Sequence, residues 1–417
     1  MINDFPLLAQ LEILPEWEAA AQRFLEEGGT AIVLGAVDTG KSTLSRYLVY
    51  RAYAAGLPVG LVDLDLGQAH LGPPAALGLG LFPPLIPGDD SLFPQGLYFI
   101  GQTSPPGALM ELTVGCRVLA DQALARRVTR LVVNTSGFIQ GPAALRLKKA
   151  QAELLQPGLI LALQRDRELE PLLRGLGGIT PPLLVGGGWG EGEKQDFATP
   201  TPALPHQGGG GKALEAAETG TARRAPSKPK SFVDSAWQFL RLPVSSRVSR
   251  RDLETRRLYR EERFRHYFQE AFKLRLPWSS FIWEGAPLGQ GRPLPPWRLG
   301  EFGQKLGVEI LYGEGQGRRA LLLTIQPPPD AAAAESAGRP DWDHVHWLSW
   351  EALQLRLVGL LDGRRRALSL GLILPIAWDP ENLALLAPLA PEAAAGVRFV
   401  KLGKLRLNLE GQELPHV

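Results

Sequence analysis

The eight residues Gly35-Ala36-Val37-Asp38-Thr39-Gly40-Lys41-Ser42 constrain what this chain can fold into more than any others. They satisfy every fixed position of G-x-x-x-x-G-K-[ST]. The apolar run Thr30-Ala31-Ile32-Val33-Leu34 before them reads as a buried strand, and Thr43 to Ala55 after them reads as a helix with Leu44, Leu48 and Val49 on one side. Such a strand–loop–helix unit is a phosphate-binding loop. Its glycines let backbone N–H groups turn inward around phosphate oxygens, and the helix N-terminus adds partial positive charge. Lys41 can reach the β- and γ-phosphates, and the Ser42 hydroxyl can hold Mg²⁺. The cradle for a nucleoside triphosphate is therefore expected at Gly35, Ala36, Val37, Asp38, Thr39, Gly40, Lys41, Ser42 and Thr43. The loop fixes a nucleotide and leaves its use open.

The surrounding pattern sets the fold class. From Thr30 to Val185, strand-like runs (Pro58 to Val62, Leu97 to Ile100, Arg130 to Val133, Leu159 to Leu163) alternate with helical ones (Leu109 to Arg127, Ala143 to Leu155). Alternation behind a phosphate loop predicts an α/β fold, a mostly parallel sheet of the P-loop NTPase type with helices on both faces. Five segments are expected: a helical lead-in over 1–28, with a short helix from Pro15 to Glu27; the P-loop core over 29–185; a low-complexity, disordered insertion over 186–231; a last core strand and an arginine-rich helix over 232–275; and a small β-rich domain over 276–417. The insertion is Gly- and Pro-rich and ends in basic Ala-Pro-Ser-Lys-Pro-Lys, with almost no apolar periodicity. A second low-complexity break runs from Pro327 to Ala334.

Bulk properties exclude several classes. A net charge of +2 over 417 residues implies no global affinity for nucleic acid, so such binding needs a local patch. The lone Cys116 forbids an intrachain disulfide and suits a reducing compartment. No run reaches the roughly 18 uninterrupted apolar residues of a membrane span, and Met1-Ile2-Asn3-Asp4-Phe5 lacks the basic start of a secretory signal. The expectation is a cytoplasmic protein.

Chemistry concentrates where strands end. The strand through Val62 runs into Asp63-Leu64-Asp65-Leu66-Gly67-Gln68. A carboxylate there, beside the loop, lies where Mg²⁺ and an attacking hydroxyl would meet. Strand alternation allows Asp63 and Asp65 to share a face, with Asp65 the stronger catalytic candidate. Between Arg241 and Lys273, ten Lys/Arg face five Asp/Glu, and Arg256, Arg260 and Arg263 share a helix face by spacing. Arginine can chelate phosphate oxygens, although a solvated face paired with Glu254, Glu261 and Glu262 fits as well. Gly101-Gln102-Thr103-Ser104-Pro105-Pro106-Gly107 and Asn134-Thr135-Ser136-Gly137-Phe138-Ile139 follow further strands, and Phe138 suits base stacking or simple core packing. His344 and His346 read as surface residues, not as metal ligands, since no further Cys or His lies nearby in sequence.

In order along the chain, GAVDTGKST, DLDLGQ, GQTSPPG, NTSGFIQG, LILALQRDREL at 159–169 and RRLYREERFRHYF at 256–268 resemble the polynucleotide 5′-hydroxyl kinase family. That family includes the kinase subunit of the pre-mRNA cleavage complex and the ribosomal-RNA-processing kinases. The resemblance spans residues 30–185 and 236–275, and the tail more weakly. It implies ATP and Mg²⁺ as cofactors and RNA or DNA 5′-hydroxyl ends as partners, with no obligate protein partner and no membrane. Lys41 would then be the phosphate lysine, Ser42 and Asp65 the metal ligands, and Asp65 the group that activates the 5′-hydroxyl. Gln68, Thr103 and Ser104 fall on substrate contacts, and Arg256 and Arg260 on an R-x-x-x-R lid over the triphosphate. Two departures stand out. Phe138 replaces a tryptophan that stacks on the terminal base in some relatives, and the separate N-terminal β-domain of eukaryotic relatives is not expected. The implied activity is transfer of the γ-phosphate of ATP to a polynucleotide 5′-hydroxyl. Its rivals are a nucleotide-bound RNA-processing scaffold with little catalysis, which degraded motifs would favour, and a P-loop GTPase, which the absence of Asn-Lys-x-Asp disfavours.

Overall fold

Five parallel strands and two antiparallel ones carry the loop. In the computed structural model, which describes residues 12–82, 94–177, 237–325 and 342–415, β1 (Gly29–Gly35), β2 (Val59–Asp63), β3 (Ala76–Phe82), β4 (Gly96–Phe99), β5 (Arg130–Asn134), β6 (Leu159–Gln164) and β7 (Gln238–Pro243) form one sheet in the order β4-β3-β2-β5-β1-β6-β7. The 186–231 insertion and the break at 327–334 lie outside the described residues. β2, β5, β1, β6 and β7 run parallel, and β3 and β4 add antiparallel strands at one edge.

Both faces of this sheet are covered. The helices α1 (Pro15–Glu27) and α2 (Lys41–Ala54) bury Trp17, Phe24, Leu44 and Leu48 against Ala31, Val33, Leu61 and Leu161 on one face. On the other, α3 (Leu109–Ala125) and α4 (Gly141–Leu155) bury Leu112, Cys116, Leu119 and Leu147 against Ile32, Val62, Leu131 and Ile160. Consecutive strand residues thus point to opposite layers. Central parallel strands therefore read as unbroken apolar runs. The register places Asn134 opposite both Val33 and Asp63, which brings the ends of β1, β2 and β5 together beside the loop.

β3 is an element that sequence reading passed over. Its sequence ALGLGLF sits among prolines, and its glycines lower any strand propensity. Packing explains them. A Cβ at Gly78 would collide with the Leu71 carbonyl, and one at Gly80 would press on the Leu71 side chain.

After the short α5 (Glu170–Gly175) and β7, α6 (Leu253–Phe268) begins at Asp252, whose carboxylate accepts from the Thr255 N–H at 2.7 Å. Beyond it the chain builds two further sheets. The first contains β8 (Phe272–Pro277), β14 (Arg356–Leu361), β15 (Ala367–Ile373), β16 (Asn382–Ala387), β17 (Phe399–Leu407) and β18 (Glu413–Leu414), with β9 (Ile282–Glu284) beside β17. The second pairs β10 (Arg292–Pro293), β11 (Ile310–Gln316), β12 (Arg319–Thr324) and β13 (His344–Ser349), with α7 (Pro296–Leu306) adjoining β11. β17 docks onto the core. The N–H groups of Lys404 and Leu405 donate to the Gly101 carbonyl at 2.8 and 3.1 Å. Phe99 packs with Leu357 and Leu405 and with Phe264 and Tyr267 of α6. Each such aromatic burial is worth about 1.5–3 kcal/mol, so α6 is anchored at its C-terminal half while its N-terminal half reaches the loop.

Candidate functional site

The phosphate loop begins where β1 ends and closes at Gly40, whose φ of 85° leads into α2. Asp38 at its tip has φ 55°, a left-handed conformation that Asp tolerates better than most side chains. The Lys41 ammonium is buried and donates to the Ala36 carbonyl at 2.6 Å, folding back across the loop. Burial lowers its pKa, against the opposing pull of Asp65, Asp38 and Asp63. A cavity of about 320 Å³ opens over this segment, lined among others by Lys41, Ser42, Thr43, Asp65 and Gln68.

The two aspartates of DLDLGQ separate rather than share a face. β2 ends at Asp63, so strand alternation does not extend to Asp65, which lies in the following turn. The Asp63 carboxylate is buried and accepts from the N–H groups of Asp65, His70 and Leu71 and from Asn134 Nδ2 at 3.0 Å. Burial and the neighbouring Asp65 charge push its pKa up to about 6. Asp65 accepts from the Gly67 and Gln68 N–H groups through one oxygen and faces the cavity. Asp63 organises the turn, and Asp65 presents a carboxylate.

Asn134, at the end of β5, also donates to Ser42 Oγ at 3.2 Å, while its own Oδ1 is buried without a partner among the described residues. Ser42 Oγ, the Asp65 carboxylate and the orphaned Asn134 Oδ1 are hard oxygen donors. They fit Mg²⁺, which takes one or two protein carboxylates and completes its shell with phosphates and water. Among the described residues no group of three or more His, Cys, Asp and Glu could hold a metal alone.

A second cavity of about 690 Å³ lies over the loop tip, lined by Ala36, Val37, Asp38, Phe138, Arg165 and Arg256 among others. Phe138 lines it while also packing on the core. The Phe138 loop is tight against the phosphate loop: a Cβ at Gly137 would lie 2.5 Å from Val37 Cγ2 and 2.8 Å from the Val37 nitrogen. Lys148 of α4 braces it from behind. Its buried ammonium donates to the Ser136 carbonyl at 3.0 Å, and burial lowers its pKa to about 7.

The arginines do not converge on one point. Arg256 Nη2 donates to Asp38 Oδ2 at 2.7 Å, the Arg251 N–H to the same oxygen at 2.9 Å, and Arg165 Nη2 to the Asp38 carbonyl at 2.6 Å. Burial raises the Asp38 pKa, but the Arg251 N–H and Arg256 outweigh it and hold the carboxyl below its usual range. Arg260, one turn on, is turned away and chelates Glu413 of β18 through Nε and Nη2, the latter at 3.1 Å. Arg263 donates to the carbonyls of His70 and Gly72. The R-x-x-x-R pair is therefore split in this structure, with Arg256 on the loop and Arg260 on the C-terminal sheet. Thr103 and Ser104 lie in the turn after β4, close to Gly67, where a Cβ would sit 3.1 Å from the Thr103 carbonyl.

Sequence reasoning did not single out Asn134, Lys148, Arg165 or His70. Lys148 and Gln151 did carry a signal: they occupy the buried stripe of α4 with Ala144, Leu147 and Ala152, where an apolar pattern would have placed hydrophobes.

Comparison with known proteins agrees with this geometry. Residues 35–180 match the family described as mRNA cleavage and polyadenylation factor CLP1 P-loop. A polyribonucleotide 5′-hydroxyl-kinase of Pyrococcus horikoshii is 25% identical over 397 residues, covering 94% of this chain and 89% of that one. One from Methanocaldococcus jannaschii is 24% identical over 383 residues, covering 92% and 88%. The polyribonucleotide 5′-hydroxyl-kinase Clp1 of Xenopus tropicalis is 28% identical over 204 residues, 46% of each chain. The solved structure of a wild-type Clp1p–Pcf11p complex shares the fold, with a TM-score of 0.52 at 13% identity over 93% of this chain and 77% of that one.

Proposed function

From the premise that this chain belongs to the polynucleotide 5′-hydroxyl kinase family, we propose that it transfers the γ-phosphate of ATP to the 5′-hydroxyl of RNA or DNA. The observation that carries the reading is the joint lining of one cavity by Lys41, Ser42, Asp65 and Gln68. It joins a triphosphate cradle to a carboxylate able to orient an alcohol.

In this mechanism the loop N–H groups and Lys41 bind the β- and γ-phosphates. Lys41 must leave the Ala36 carbonyl to do so. Ser42, Asp65 and Asn134 would hold Mg²⁺, which supplies charge neutralisation on the phosphate oxygens when bound. Asp65 accepts the hydrogen bond of the 5′-hydroxyl and takes its proton as the oxygen attacks the γ-phosphorus in line, the bond to the β–γ bridging oxygen breaks and ADP leaves. Phe138 offers a π-face to the terminal base over the loop tip. Arg256 moves from Asp38 to the transferring phosphoryl group, and the helix closing with it excludes water that would otherwise consume ATP. Thr103 and Ser104 contact the acceptor end, and Arg260 would join the lid only after releasing Glu413.

The test is Asp65→Asn. Phosphoryl transfer to a 5′-hydroxyl oligonucleotide should fall by about a hundredfold or more, with affinity for a non-hydrolysable ATP analogue within a few-fold of wild type. A loss of affinity equal to the loss of rate would move Asp65 from acceptor activation to nucleotide binding.

A further inference from the structure

Beside the phosphate loop lies a group of cations that the mechanism above leaves unused. Arg46 projects from α2 one turn after Ser42, and its Nη2 is 3.4 Å from His70 Nδ1. A guanidinium only donates, so Nδ1 accepts and the His70 proton sits on Nε2. Arg46 makes no ion pair among the described residues; its one hydrogen-bond partner there is a neutral imidazole. Arg251 sets its guanidinium over the Tyr259 ring at 5.7 Å, and Tyr259 in turn packs 6.2 Å from the His70 ring. Arg263 completes the wall from α6, its Nε buried without a partner among the described residues. Of these, His70 and Arg251 line the same 320 Å³ cavity as Lys41, Thr43 and Gln68.

The charges that bear on His70 are cationic. Burial, then Arg46, Arg263, Arg251 and Lys41, lower its pKa to about 3, which keeps it neutral at any physiological pH. The nearest buried carboxylate, Asp63, already accepts from three backbone N–H groups and Asn134. Gln68 Nε2, also on the cavity, is a buried donor with no acceptor among the described residues. Arg46, Arg251 and the buried Gln68 Nε2 thus make a donor-rich hollow beside the phosphate loop that an anion would complete.

We propose that Arg46, His70 and Arg251 form a second anion site beside the phosphate loop, which takes a phosphate group of a substrate. This rests on the kinase reading for the identity of the substrates. Two sources offer that chemistry: the α-phosphate of the donor nucleotide, and the first backbone phosphodiester of the acceptor.

Equilibrium binding separates them without turnover. Calorimetry would compare wild type and Arg46→Gln for a non-hydrolysable ATP analogue, for a 5′-hydroxyl dinucleotide, and for the same dinucleotide with an uncharged methylphosphonate linkage. Loss of one charge-assisted phosphate contact should weaken one substrate by about tenfold to a hundredfold and leave the other within twofold. If the acceptor supplies the phosphate, wild type should lose a similar factor on the methylphosphonate and Arg46→Gln should lose nothing further. If the donor supplies it, only the ATP analogue weakens. Arg251→Gln, at an exposed side chain on the same hollow, should move the same ligand. Unchanged affinities for both substrates, or equal weakening of both, would overturn the site. Absence of phosphoryl transfer by wild type would refute the kinase reading and leave these affinities readable.

Discussion

Replacing Asp38 by Asn tests whether the N-terminal half of α6 is latched to the phosphate loop. Asn tolerates the φ of 55° at this position, so the loop backbone is retained and only the charge is removed. The carboxylate is 6% exposed and accepts from both Arg256 Nη2 and the Arg251 N–H. A hydrogen bond to a charged group contributes about 1.5–3 kcal/mol and a neutral one about 0.5–1.5 kcal/mol, so neutralising Asp38 should weaken the latch by about 1 kcal/mol. That corresponds to roughly a fivefold rise in the open population. Amide hydrogen exchange over residues 250–258 reads it directly. Asp38→Asn should speed exchange there about fivefold and leave the C-terminal half of α6, anchored by Phe264 and Tyr267, unchanged. Arg256→Gln should do the same, and the double variant no more than either alone. Additive effects, or unchanged protection, would refute the latch.

Gly137→Ala should weaken ATP-analogue binding and cost about 1–3 kcal/mol of stability, because its Cβ meets the Val37 backbone and not only a side chain that could yield. Adding Val37→Ala should therefore fail to restore binding in a titration. Lys148, with a folded pKa near 7 against an ordinary 10.5, binds fewer protons folded than unfolded between those values. Its burial thus costs most below pH 7, and stability should rise with pH above it by at most about 1.4 kcal/mol per unit. Urea unfolding at pH 7 and pH 9 should show that rise in wild type and a smaller one in Lys148→Met. Glu413→Gln removes the charge that chelates Arg260 at a site 18% exposed on both sides, and should lower Tm by about 2–4 °C in a thermal melt.

The parallel sheet was legible because its central strands are continuous apolar runs punctuated by the loop motif and by DLDLGQ and NTSGFIQG. The phosphate loop was legible because its function fixes residue types at fixed spacing. β3 escaped because its Leu–Gly alternation answers to the nearby Leu71 backbone, a contact that local propensity does not encode. The division of labour between Asp63 and Asp65 depended on where β2 stops, a boundary that two residues of error would invert. Helical spacing put Arg256, Arg260 and Arg263 on one helix, yet they reach three different parts of the structure. Their partners, Asp38, Glu413 and the carbonyls of His70 and Gly72, come from distant segments that spacing cannot name.

Phosphoryl transfer itself can be read by incubating wild type and Lys41→Ala with γ-labelled ATP and 5′-hydroxyl RNA and DNA oligonucleotides. Wild type should label the 5′ end of at least one polymer, and Lys41→Ala should label neither. No transfer to either polymer, or transfer that survives Lys41→Ala, would contradict a kinase reaction at this loop.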